Sequence, residues 1–473
     1  MRKFILCMLV LFSLWGCMVG PNYERPSVDT PQSWRVTYKE ANELVNTAWW
    51  EQFGDPVLNE LISASLSGNK DLKIAAARVD EFVGRYIYER APLFPQINAG
   101  SSIGRSRSTE RGAIPLPNTV TNPANQFETS LSVNWEIDFW GKLRRTTEAA
   151  RADLLSTEEA RNVVILSLVT SVAVAYVTLR DLDSQLDIAT NTAKTREESY
   201  KIFSLRFKAG YISDLELSQV KSQYEQALAT IPLIEKSIAE QENNLSVLLG
   251  RNPGPIPRGK GIDELNMPAV PAELPSDLLD RRPDIRQAEQ ELIAANARIG
   301  VAKAQYFPSI SLTGAFGWSS IQLSNLFTGP ARMWNWAVPL AAPIFTGGAL
   351  AGQVMSAEAI QKQALYQYQK SIQSAFRDVE DALIDQKRSR EQLEAQARQV
   401  EALRTYARVA RLRYDNGYTS YIEVLDAERS LFDAELSYTQ TKGTLFQDLV
   451  NVYKAMGGGW IVQADKMIAT GKK

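Results

Sequence analysis

From Lys142 to Lys208 the chain contains neither proline nor glycine. A helix filling that run would be roughly 100 Å long at 1.5 Å per residue. No compact single core accommodates such an element, so the fold must be built around very long helices. A partner for it begins near Ser213, where Leu217, Val220, Tyr224, Ala227, Ile231, Ile234 and Ile238 recur at spacings of three and four. A second series, Val424, Ala427, Leu431, Ala434, Tyr438 and Thr441, repeats the pattern. Both series read as coiled-coil seams. Pro232 falls inside the first and is expected to kink it, because it removes a backbone donor. Val163 to Leu179 is mostly apolar and offers a competing reading as a short transmembrane helix. Ser167, Thr170, Ser171 and Thr178, and the helical run continuing on both sides, weigh against it.

Beside these helices stand segments of strict period two. Phe127, Thr129, Leu131, Val133, Trp135, Ile137 and Phe139 alternate with Glu128, Ser130, Ser132, Asn134, Glu136 and Asp138. Ile310, Leu312, Gly314, Phe316 and Trp318 alternate in the same way with Ser, Thr, Ala and Gly. Each is a strand with one apolar, aromatic face and one polar face. Strands are expected at about 96–107, 126–139, 308–319 and 333–345, and long helices at about 142–208, 213–250, 347–414 and 420–456. A soluble sandwich would need more strands, and the aromatics sit near the strand ends as in interfacial girdles, so a membrane barrel is the favoured reading. Four strands cannot close one alone, since the smallest known have about 8. Open edges cannot face lipid, so several copies must share a barrel.

The chain is internally duplicated. Asp71-Leu72-Lys73, running to Leu93-Phe94-Pro95, aligns with Asp284-Ile285-Arg286, running to Tyr306-Phe307-Pro308. Further on, Arg206-Phe207-Lys208-Ala209-Gly210-Tyr211 aligns with Arg413-Tyr414-Asp415-Asn416-Gly417-Tyr418. This organises the chain as a signal peptide (1–16), an N-terminal linker (17–54), a first repeat (55–250), a Pro- and Gly-rich linker (251–277), a second repeat (278–457) and a tail (458–473).

Histidine is absent, the net charge is -2, and the two cysteines are Cys7 and Cys17. These counts remove the commonest general base, any thiol metal site or disulfide in the body of the protein, and an electrostatic footprint for nucleic acid. No nucleophile-base pair, phosphate loop or metal cluster is legible, so neither an enzyme nor a cofactor is expected. The N-terminus is a secretion signal: Arg2 and Lys3, then an apolar stretch from Phe4 to Trp15 that is too short to span a bilayer. It ends in Leu14-Trp15-Gly16-Cys17, which resembles a lipobox and makes Cys17 the expected acylated residue of the mature protein. No Asp follows Cys17; that suits sorting to the outer membrane.

Several motifs carry a family resemblance. They are Cys17 to Tyr23 (CMVGPNY), Trp49 to Ile62 (WWEQFGDPVLNELI), Asp138 to Arg145 (DFWGKLRR), Leu278 to Glu289 (LLDRRPDIRQAE) and Tyr453 to Trp460 (YKAMGGGW). Together they resemble the outer-membrane factors of tripartite efflux pumps, the TolC superfamily and its OprM-like lipoproteins, over nearly the whole mature chain. The resemblance implies a mainly helical protein with membrane strands. It would be a homotrimer sharing a twelve-stranded barrel, four strands from each chain, over a long periplasmic helical barrel. It implies a periplasmic adaptor and an inner-membrane transporter, of RND type, as partners of a passive duct for small molecules such as drugs. It also implies that the helix reversals at Gly210-Tyr211 and Gly417-Tyr418 dock the adaptor, and that Glu216, Tyr414, Glu423 and Asp426 form the periplasmic gate. Arg206 and Arg413, just before the tip glycines, are expected as its cationic partners from their position. Thr419 stands where relatives often carry Asp. A type I protein-secretion duct would share the fold, and a structural periplasmic coiled-coil lipoprotein would share the seams but not need the strands. The eight methionines are scattered and argue for no copper or silver cargo.

Overall fold

The computed structural model describes residues 18–28, 30–31, 33–36, 48–113, 117, 121–270, 275–457, 460, 461 and 464. Cys17 and the signal segment lie outside them, as does most of the C-terminal tail. The principal elements are α1 (Pro56–Gly68), α2 (Lys70–Arg90), β1 (Gln96–Ser106), β2 (Ala124–Glu136), α3 (Lys142–Lys208), α4 (Asp214–Leu248), α5 (Pro283–Ala304), β3 (Ser309–Ser320), β4 (Arg332–Ala337), β5 (Leu340–Ala341), α6 (Ala349–Asp415) and α7 (Tyr421–Ala455). The duplication is visible in the lengths. α3 and α6 each have 67 residues, and α4 and α7 each have 35. α4 runs unbroken through Pro232.

The chain forms two compact units. The first comprises the described residues up to Ser27, Arg78–Thr157 and Gln287–Tyr368, and holds the sheet. Its strands are antiparallel in the order β1-β2-β3-β4, with β5 also on β3, so β1 and β4 are open edges. β2 ends at Glu136, short of the expected 139, because Asp138 is spent on the helix that follows. Its Oδ1 accepts from Leu143 N at 3.0 Å and its Oδ2 from Arg144 N at 2.9 Å, which satisfies two first-turn donors of α3. The expected strand over 333–345 is broken into β4 and β5 at Pro339, which has no N–H to give a ladder and whose carbonyl accepts from Ser311 N at 3.2 Å.

Within this unit the segment after Cys17 is strapped down. Val19 N donates to Trp140 O at 3.1 Å. Arg145, 1% exposed, donates to Val19 O and Gly20 O, each at 3.3 Å, to Asn22 Oδ1 at 2.8 Å and to Glu148 at 2.8 Å. Gly300 of α5 lets the strap pass: a Cβ there would lie 2.8 Å from Val19 O and 2.9 Å from Arg145 Cγ. Two of the family motifs are therefore one structural joint.

The second unit comprises Val28–Ala77, Glu158–Arg286 and the chain from Gln369 onward. Its core takes Ile165, Val169, Val172 and Tyr176 of α3, all 0% exposed, with Trp49, Trp50, Phe53, Leu449 and Trp460. The apolar stretch 163–179 is thus consumed by packing, and the transmembrane-helix alternative falls. Asp55 N-caps α1 through Val57 N at 2.9 Å and accepts from Tyr176 Oη at 2.6 Å and Lys260 N at 3.0 Å. In the segment between the repeats, Ile256, Ile262, Leu265 and Val270 are buried in this core.

Candidate functional sites: the sheet faces and the helical tips

The register sorts the side chains of the sheet by chemistry. Reading across the strands, Ala99 pairs Leu131, which pairs Phe316, which pairs Trp334. One step along, Ile97 pairs Val133, Val133 pairs Gly314, and Gly314 pairs Trp336. The opposite face carries Asn98, Ser132, Ala315 and Asn335 in one row and Ser102, Glu128 and Ser319 in another. Side chains alternate between faces along a strand, so the large apolar residues of all four strands share one face, which is interrupted by the hydrogen-bonded pair Ser101 and Thr129. Leu131 is 52% exposed, as are comparable fractions of Ile97, Phe316, Trp334 and Trp336. An outward apolar band of this size is unsuited to water and suited to lipid.

At the other functional region, α3 and α6 each end in the same way. Gly210 has φ +79° and Gly417 φ +75°. Gly210 N donates to Phe207 O and Tyr211 N to Arg206 O, both at 2.9 Å. Gly417 N to Tyr414 O and Tyr418 N to Arg413 O repeat the pattern at 2.9 Å. These are paired Schellman motifs, which need a residue that tolerates left-handed φ at the glycine. Tyr211 and Tyr418 project into solvent, 82% and 78% exposed. Beyond the adjoining residues, no atom lies within 4 Å of where a Cβ on either glycine would stand.

The helices restart differently. Ser213 and Glu216 form a complete capping box: Ser213 Oγ accepts from Glu216 N at 3.3 Å, and Glu216 Oε2 accepts from Ser213 N at 2.9 Å. Ser420 and Glu423 have the same spacing, but Ser420 makes no side-chain cap bond. Glu423 instead faces Arg413 at 3.6 Å. Asp426 pairs with Arg429 at 2.6 Å. Of the four residues expected in the gate, Tyr414 alone reaches the other tip, accepting from Arg206 Nη1 at 2.9 Å. Behind it is an aromatic cluster that the sequence reading missed: Phe203 and Tyr421 lie 4.2 Å apart, with Tyr414 4.8 Å from Tyr421. The Phe203 signal was available, since it sits one helical turn before Arg206 and Phe207. Glu216, Glu423 and Asp426 do not contact one another within the chain; each is held by a residue of its own hairpin.

Higher on the same pair of helices, Asp181 of α3 is buried against Gly443 of α7, where a Cβ would come 3.0 Å from its side chain. It accepts from Gln185 Nε2 at 2.9 Å, and burial pushes its carboxyl up to about 6. Among the described residues no group of three or more Cys, Asp or Glu converges as a metal site.

Comparison with known proteins accounts for the joint appearance of these features. Residues 61–251 and 274–458 match the family described as outer membrane efflux protein, one match for each repeat. The chain is 36% identical to the probable outer membrane lipoprotein SilC of Salmonella typhimurium, over 97% of this chain and 99% of SilC. It is likewise 36% identical to the probable efflux pump outer membrane protein TtgC of Pseudomonas putida, over 98% of this chain and 97% of TtgC. Its fold superposes on the crystal structure of the open state of the Neisseria gonorrhoeae MtrE outer membrane channel with a TM-score of 0.85 at 31% identity, covering 94% of this chain and 99% of MtrE. With both repeats matched and relatives aligned end to end, the chain belongs to the outer membrane efflux protein family: it is a TolC-like outer-membrane lipoprotein channel of an efflux system, a transport protein rather than an enzyme, with its helical part in the periplasm.

Proposed function

We propose that three copies of this chain close one barrel and one helical tunnel, which conducts small molecules passively from an inner-membrane pump to the exterior. The observation that carries this is the sheet with an outward apolar face and two unpaired edges, β1 and β4. Unpaired backbone groups in hydrocarbon cost several kcal/mol each, so β4 of one copy must pair with β1 of the next. Cys17 carries the acyl anchor; the strap from Val19 to Asn22 supports this, because it ties the adjoining residues to Trp140 and Arg145, beside the end of β2. The tips at Gly210-Tyr211 and Gly417-Tyr418 dock a periplasmic adaptor, which connects the duct to a transporter of RND type. Their exposed tyrosines and uncrowded glycines support that reading. TtgC is named as a probable efflux pump outer membrane protein and SilC as a probable outer membrane lipoprotein, at equal identity to this chain, which supports the role of duct.

The gate combines Tyr414 and Arg206 with Glu423, Asp426 and Glu216 at the tips. Exposed hydrogen bonds and ion pairs are worth only about 1 kcal/mol each, which suits a latch that an adaptor opens. The test is single-channel recording of the purified, lipidated protein in planar bilayers. The wild type should conduct in low, infrequent events. Tyr414→Phe, which deletes only the acceptor of Arg206, and Glu423→Ala with Asp426→Ala should raise the open time while leaving assembly intact. Absence of conductance from a monodisperse oligomer would overturn the duct; unchanged gating in both variants would remove these residues from the gate.

A further inference from the structure

The outward face of the sheet is apolar along most of its length but not at its rim. Alternation in β1 puts Arg105 on the same side as Ile103, Ser101 and Ala99, and the register puts Arg332 opposite Trp318, on the side of Phe316 and Trp334. Both arginines stand at strand ends that lead into the loops 107–123 and 321–331, away from the ends joined to helices. They are therefore at the outer-leaflet level, on the lipid side. The one acidic residue at that level of β2, Glu128, alternates to the opposite, luminal face. Among the described residues neither arginine has a carboxylate partner, whereas nearby Arg107 lies 3.7 Å from Glu110. A cation on the lipid side is tolerated near the interface and is stabilised there by an anion.

We propose that this rim binds the phosphate groups of an outer-leaflet glycolipid, at the seams between copies. The proposal rests on the shared-barrel reading: when β4 of one protomer pairs with β1 of its partner, Arg332 and Arg105 flank the same seam. Guanidinium groups take phosphate oxygens through two parallel N–H donors, which suits a phosphomonoester better than a sugar hydroxyl. Directly toward the midplane lie Ile103, 78% exposed, and Trp334, 70% exposed, a shelf for acyl chains. Phe327 of the outer loop packs edge-on to Trp318 at 5.7 Å and widens it. Cations above and an apolar shelf below match a lipid whose phosphates sit on top of its chains; a soluble anion would have no use for the shelf.

The experiment compares a bisphosphorylated acyl glycolipid with the same lipid after enzymatic dephosphorylation, each added to the purified full-chain oligomer and read by native mass spectrometry. The wild type should retain the phosphorylated form at least about tenfold more tightly. Arg105→Ser with Arg332→Ser should abolish that preference while conductance in neutral phosphatidylcholine bilayers stays unchanged, and Arg107→Ser should leave the preference intact. The lysine pair, Arg105→Lys with Arg332→Lys, keeps the charge and should retain part of it. Equal retention of the two lipids by the wild type, which needs no variant, would overturn the proposal, as would a preference that survives the double serine change. A conducting oligomer without lipid preference sinks the rim assignment alone. Failure of the wild type to form an oligomer sinks the barrel reading beneath it.

Discussion

Leu131→Arg tests the orientation of the sheet most directly. Leu131 lies mid-strand in β2, between Ala99 and Phe316, and is half exposed on the apolar face. An arginine near the bilayer midplane of a barrel costs about 2–4 kcal/mol. In a complex of three copies the cost falls at three positions, roughly 6–12 kcal/mol, comparable to the whole stability of an ordinary domain. Ser132, the next residue, faces the other way between Asn98 and Ala315, and an arginine there meets water and polar neighbours. Leu131→Arg should therefore reduce the assembled, membrane-inserted fraction by well over tenfold, and Ser132→Arg should leave it within about a factor of two. Semi-native electrophoresis of outer-membrane fractions, without boiling, counts the assembled form against total protein. Equal yields from the two variants would mean that the register has been assigned to the wrong faces. Loss of both would point to crowding in the lumen and would equally remove the argument from alternation.

The remaining predictions concern the helical part. Asp181 has a folded-state pKa raised by burial from 3.8 to about 6, so it favours the folded state below pH 4 and loses that contribution as pH rises through 6. Over that window the loss is on the order of 3 kcal/mol per chain, and Asp181→Asn should flatten it, raising the melting temperature at pH 7.5 but not at pH 4; identical pH profiles for the two proteins would contradict the burial argument. Gly417→Ala should cost about 1 kcal/mol through the left-handed φ alone, since its Cβ meets nothing. Gly417→Trp should still give an assembled channel but lose adaptor crosslinking and drug resistance, and full retention of both would end the docking assignment.

How much of this was legible in the sequence depends on the range of the interaction that decides each feature. Helix ends were readable because they are local: Gly210 and Gly417 announce left-handed caps, and α3 and α6 stop within two residues of where the pattern ends. Strand faces were readable because alternation alone separates Leu131 from Ser132, and the register then matched them with Phe316 and Ala315. The fourth strand lies where alternation puts it but is interrupted at Pro339, which has no N–H for the ladder, and pairing with β3 resumes only at Leu340 and Ala341. The region 251–277 reads as a linker because Pro and Gly punctuate it, and the burial of Ile256, Ile262, Leu265 and Val270 was not legible because burial is a property of what a segment lies against. Gly259 gives Asp55 the space to reach Lys260 N, and neither residue type signals that contact from two hundred positions away.

The tips show where duplication misleads. Ser213-x-x-Glu216 and Ser420-x-x-Glu423 are the same motif at the same place in each repeat, and symmetry predicts the same role. Only the first closes as a capping box, with both carboxylate and hydroxyl committed to Ser213 and Glu216 themselves. In the second, the carboxylate faces Arg413, which in its own repeat occupies the position of Arg206, and Arg206 has gone to Tyr414. Tyr414 aligns with Phe207, which has no hydroxyl to offer in return. A single aromatic difference between repeats thus determines which way the cross-tip hydrogen bond can run. Arg413 lies instead 3.6 Å from Glu423, and the second hairpin restarts without the side-chain cap bonds that hold the first. The two hairpins thus use equivalent residues differently: the first in a capping box, the second in ion pairs of Arg413 with Glu423 and Arg429 with Asp426.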